Sequence, residues 1–130
     1  MTPYVRAWMW AFLFTQAVEV PIWAYALHAH RRPAPGRDPW PAWVNVAVGF
    51  GASLITHPVV WFVIPFHTFV PHGSPSWYGV MVAEAETFAV VVEAVYTGAL
   101  GLRWALGWSL LANGASAGLG MLSRHLFGWP

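Results

Sequence analysis

The 130-residue chain has no cysteine and no lysine; its six basic residues are all arginine, and charged residues of both signs make up 8%. The lack of cysteine excludes disulfides, thiolate metal sites and cysteine nucleophiles. The shortage of charge reaches further. A water-soluble domain carries roughly 25% charged residues because its surface must be solvated, and this chain does not hold enough polar groups to cover itself. The formal net charge is +1 with no basic run, so nothing here can neutralise a series of phosphates, and nucleic acid is not an expected partner. Several catalytic signatures are also missing: HExxH, SxxK, a phosphate loop and a DxD pair. No motif names a cofactor, and the identity of any metal stays unknown.

What the chain does have is apolar and aromatic. Hydrophobic residues make up 58% of it, ten residues are Trp, and the mean hydropathy is +0.51. A membrane-crossing helix needs about 20 apolar residues, and four stretches meet that demand, at 7–27, 44–64, 78–100 and 104–127. The predicted fold is therefore an all-α membrane protein, a single four-helix transmembrane domain over residues 1–130, built as two antiparallel hairpins. The connection 28–41 is broken by Pro33, Pro35, Gly36 and Pro39, and the connection 65–76 by Pro71, Gly73 and Pro75. The third, residues 101–103, is short enough to demand a tight hairpin. Aromatic residues mark the helix ends: Tyr4, Trp8 and Trp10, then Trp40 and Trp43, Trp77 and Tyr78, Trp104 and Trp108, and Trp129. Such rings favour the headgroup level of a bilayer.

Arg31, Arg32, Arg37 and Arg103 lie in the first and third connections, against Arg6 and Arg124 at the opposite ends. The positive-inside rule then puts both termini and the 65–76 loop outside, in what reads as a bacterial inner membrane. A cleavable leader is the rival reading for the first segment, with Arg6, an apolar run and Ala24-Tyr25-Ala26. The length of the run and the interruption at Glu19 favour a retained helix.

A faint internal echo joins the hairpins. Val18-Glu19 with Ala26-Leu27 matches Val92-Glu93 with Ala99-Leu100, and Ala52-Ser53 with Thr56 matches Ala112-Asn113 with Ser116. A two-helix unit repeated once keeps its orientation, giving a parallel 2+2 pseudo-repeat of the kind some transporters use.

The acidic residues carry the functional reading. Only Asp38 lies in a connection, while Glu19, Glu84, Glu86 and Glu93 fall inside apolar spans. An ionised group near the bilayer centre costs roughly 2.5 to 3.5 kcal/mol, so such groups need partners, protonation or water. Glu86 and Glu93 are two turns apart on one face, and Glu84 is rotated away toward the helix start. The expected ion-binding residues are Glu19, Glu86, Glu93 and His57, the one histidine deep within a span. A polar lining is expected from Gln16, Ser53 and Thr56, and from Ser109, Asn113 and Ser116, which follow i, i+4, i+7 spacing. Gly114 with Gly118, and Gly49 with Ser53, are small pairs that permit close helix approach. His28, His30, His67 and His72 lie near helix ends without compact metal-ligand spacing.

These features support a small protein that binds or translocates a proton or divalent cation through buried carboxylates. The alternatives are a non-catalytic accessory or assembly subunit of a larger membrane complex and an intramembrane enzyme acting on lipid. Four helices enclose little volume, so a homo-oligomer or a partner membrane subunit is expected alongside the lipid bilayer.

Overall fold

Proline and glycine breaks divide the chain where the composition suggests, and a helix fills each interval. The computed structural model describes residues 1–33, 35–36 and 38–128; Arg37 and Trp129 lie outside the described residues. The helices are α1 (Pro3–His30), α2 (Ala42–Phe62), α3 (Pro75–Ala99) and α4 (Ala105–Phe127), with a π-helical turn at Pro65–Phe69. That turn, inside the stretch read as a loop, is the one element the apolar pattern did not show. Thr2 caps α1 by accepting from Val5 N at 3.3 Å, and Pro3 and Pro75 sit in the first turns of α1 and α3. A first-turn proline is tolerated because its missing N–H would have no intrahelical partner there.

The chain runs up, down, up, down around a square in which α1 packs on α2, α2 on α3, α3 on α4 and α4 on α1. The diagonal pairs α1/α3 and α2/α4 face each other across the centre. At one end the first and third connections are tied together. Arg32 N donates to Gly101 O at 3.0 Å, Arg103 N to His30 O at 3.2 Å, and Arg31 Nε to Leu100 O at 3.0 Å. Arg31 also lies over the Trp40 ring. Gly101 has φ +92°, and a Cβ there would stand 2.9 Å from Arg32 O, so the crossing of the two connections requires glycine. At the opposite end the Tyr4 hydroxyl donates to Trp61 O, joining the start of α1 to the end of α2.

The distribution of polarity is inverted. Among the described residues twelve buried side chains are polar or charged and nine are hydrophobic, whereas Phe50, Leu54, Ile55, Val95, Leu110 and Leu111 are exposed. One helical stretch, Ala42–Phe69, is long and apolar enough to cross a membrane. In α1, α3 and α4 polar and small residues, including those that build the site, lower the hydropathy.

The close approach of α1 and α2 depends on Gly49, where a Cβ would fall 2.7 Å from the Trp23 Cβ, whereas Gly114 and Gly118 have nothing within 4 Å. The small pair in α4 therefore serves no close helix approach among the described residues, in contrast to the expectation from its spacing. Trp23 is fully buried and has no room to yield. Gly49→Ala is expected to destabilise by about 1 to 3 kcal/mol through overpacking, and Gly114→Ala to gain up to about 1 kcal/mol from helix propensity. Chemical unfolding of the purified protein in micelles checks both.

Candidate functional site

Glu19 and Glu93 stand on the diagonal helices α1 and α3, and each is 1% exposed. Both carboxylates turn inward and are met by donors from α2 and α4. For Glu19, the Ser53 hydroxyl donates to Oε2 at 2.5 Å and the Ser116 hydroxyl to Oε1 at 2.5 Å. For Glu93, the Thr56 hydroxyl donates to Oε1 at 2.8 Å and Asn113 Nδ2 to Oε2 at 2.7 Å. Each carboxylate thus bridges α2 and α4, which do not pack on each other.

The pattern is an exchange. Each Glu takes one bond from its own hairpin, Ser53 for Glu19 and Asn113 for Glu93. The other bond comes from the opposite hairpin, Ser116 for Glu19 and Thr56 for Glu93. The echo in the sequence sets Ser53 against Asn113 and Thr56 against Ser116, so the two carboxyls have equivalent surroundings. Burial repeats as well: Ser109, Ala112, Asn113 and Ser116 of α4 correspond in register to Gly49, Ala52, Ser53 and Thr56 of α2, and all eight are buried.

Glu19 and Glu93 both line a cavity of about 170 Å³ together with Thr56, His57, Glu86, Asn113 and Ser116, with Thr15 and Trp61 among its walls. Glu86 is the third acid on the same cavity wall. No ion pair reaches Glu19 or Glu93 among the described residues. Also among the described residues, no group of three or more His, Cys, Asp or Glu is arranged to hold a metal ion.

Of the residues expected at the site, Glu19, Glu86, Glu93, His57, Thr56, Asn113 and Ser116 share this cavity. Ser53 supports it through Glu19. Glu86 is only half-buried, and it also belongs to a larger outer cleft of about 850 Å³ bounded by Arg6, Arg124, Tyr4, Trp10 and Tyr78. His57 is held among the rings of Trp8, Phe12 and Trp61, and its buried Nδ1 has no hydrogen-bond partner among the described residues. Two residues fall elsewhere. Ser109 donates to Val90 O at 2.9 Å, joining α4 to α3. Gln16 is buried with no hydrogen-bond partner for its amide among the described residues, and it does not line the cavity.

The acid placed nearest a helix start, Glu84, accepts from Thr68 of the π-helical turn and lies 4.0 Å from His67 Nδ1, away from the cavity. The end-of-helix histidines serve separately. His30 packs against Trp104 and Trp108, and His72 stacks on Trp77 while its Nδ1–H donates to Thr68 O at 2.9 Å. Thr15 shares the polar side of α1 with Glu19, whereas Phe14, Val60 and Trp61 are wall residues outside the expected set. Their place depends on helix crossing, which spacing within one helix does not report.

Comparison with protein families, characterised proteins and solved structures finds no match. The site has to be read from its own geometry.

Replacing Glu93 tests that geometry. In Glu93→Gln the carboxamide oxygen still accepts from Asn113, so the fold is retained. In Glu93→Leu, Thr56 can turn to Ser53 O, 3.3 Å away, but the Asn113 donor loses its carboxylate. Glu93→Leu is expected to be less stable than Glu93→Gln by about 1 to 3 kcal/mol. Adding Asn113→Leu recovers part of that loss, measured as a double-mutant cycle in unfolding experiments.

Proposed function

We propose that the chain is a small integral membrane protein that binds a mobile cation, a proton or a divalent ion, between Glu19 and Glu93. The observation that carries this reading is the convergence of two buried carboxyls on one cavity, with no ion pair reaching either of them among the described residues. Two ionised groups in a low-dielectric interior repel strongly, and an uncompensated buried charge costs several kcal/mol. A site of this kind is completed by something that arrives from outside the chain.

The inverted polarity supports four membrane spans: the helices present Leu, Val, Ile and Phe outward and keep Glu, Asn, Ser and Thr inside. That arrangement suits a solvent of lipid tails, in which buried polar groups hold helices together. The equivalent surroundings of Glu19 and Glu93 support a duplicated hairpin. The inner cavity and the outer cleft share Ala11, Val60, Trp61, Ala85 and Glu86 as wall residues, so the cation enters past Glu86. Arg31, Arg32 and Arg103 lie at the opposite end, and under the positive-inside rule this supports an outward-facing cleft.

A second reading, an accessory subunit of a larger membrane complex, is favoured by the closed end. There Trp23, Ala26, Leu27, Ala52, Leu102 and Ala112 pack into one buried cluster. A cation held in a chamber that is packed shut at this end suits a subunit that binds and responds as well as one that transports.

Cation binding per chain, titrated calorimetrically with acid and with Mn²⁺ or Zn²⁺ in lipid nanodiscs, tests the reading. The Glu19→Gln/Glu93→Gln double variant is expected to keep its helical circular dichroism and to lose at least one bound cation per chain. Equal binding by the wild type and the double variant would mean that the carboxyls are purely structural.

A further inference from the structure

The donors around the two carboxyls differ in what they can do with a hydrogen. Asn113 Nδ2 carries two, one directed at Glu93 Oε2 at 2.7 Å and the other at the Ser109 carbonyl oxygen at 3.0 Å. A carbonyl oxygen only accepts, so the amide must turn its nitrogen to this corner. Glu93 Oε2 is thereby held as an acceptor, and a hydrogen on Glu93 belongs on Oε1.

Thr56 meets Oε1 with one hydroxyl hydrogen and two acceptors in reach, Glu93 Oε1 at 2.8 Å and Ser53 O at 3.3 Å. Donation to Oε1 satisfies the carboxylate ion. When the hydroxyl turns to Ser53 O, its lone pair faces Oε1 and accepts from the neutral acid. Ser116 repeats the arrangement, with Glu19 Oε1 at 2.5 Å and Asn113 O at 3.1 Å. Each of these two hydroxyls reaches both a carboxyl of the opposite hairpin and a carbonyl three residues back in its own helix. Both charge states of each carboxyl are satisfied by a hydroxyl rotation alone. A metal ion fits less well, because all four carboxylate oxygens are already engaged by hydroxyl or amide donors.

We propose that the ligand of this site is the proton, held on Oε1 of Glu93 and of Glu19, with Thr56 and Ser116 as positioning residues that exchange donor and acceptor roles as it comes and goes. The proposal rests on the reading that the carboxyl pair binds a mobile cation, and it names that cation. The other titratable groups sharing the cavity are His57 from α2 and Glu86 from α3; α4 contributes none. The π-helical turn packed on α3 brings only His67, which faces Glu84.

Infrared difference spectra between acid and alkaline samples of the full chain in lipid nanodiscs separate the possibilities. The wild type is expected to show a hydrogen-bonded carboxylic C=O band that loses one component in Glu93→Gln. Thr56→Val should shift that component to higher frequency, because the acid O–H loses its acceptor, and Thr56→Ser should leave it in place. Mn²⁺ and Zn²⁺ should not displace it. An unshifted component in Thr56→Val overturns the role given to the hydroxyl while proton binding stands. Displacement of the band by either metal overturns the proton as ligand but keeps the cation site. A spectrum unchanged in Glu93→Gln overturns both readings. Retention of helical circular dichroism in each variant shows that the spectra report on the folded chain.

Discussion

Two buried carboxyl groups that no ion pair reaches among the described residues constrain everything else in this molecule. Each must be given hydrogen-bond donors, because an unsatisfied charged group in such surroundings costs more than the small net stability of a fold can absorb. The donors come from α2 and α4, and since these helices sit on a diagonal, a carboxylate on α1 or α3 is the natural bridge between them. The four-helix square and the site are therefore one construction. Gly49 admits α1 close to α2, Ser109 draws α4 to α3, and the serine, threonine and asparagine hydrogen bonds close the centre.

Much of this was legible in the composition. Acids and amides placed inside apolar stretches announce an interior polar centre, and proline and glycine breaks located four helices to within a few residues. The pairing of Glu19 with Ser116, and of Glu93 with Thr56, was not legible, because it crosses between hairpins and depends on how helices pack. The weak repeat between the halves held more information than its similarity suggested: the same register that aligns Ser53 with Asn113 also reproduces the hydrogen-bond exchange. The outward aspect of Gly114 and Gly118 was hidden for the opposite reason, since a GxxxG spacing defines a face without saying what the face meets.

The equivalence of the halves makes their differences informative. Register places His57 of α2 against Ala117 of α4, and Phe12 of α1 against Glu86 of α3. On one side of the cavity His57 contacts Phe12, with ring centroids 5.1 Å apart, and the wall is aromatic. On the other side Ala117 and Glu86 line the cavity together, the small residue leaves space, and the acid leads into the outer cleft. The two halves thus differ where they meet the cavity, with rings about His57 on one side and a small residue beside a carboxylate on the other.

The central claim is that Glu19 and Glu93 act on each other across one chamber. Solid-state carbon NMR of the lipid-embedded chain, with the glutamate carboxyl carbons labelled, follows the titration of each group. The account predicts that Glu19→Gln displaces the Glu93 titration curve, because the facing charge is removed. A Glu93 curve superimposable on that of the wild type would contradict it.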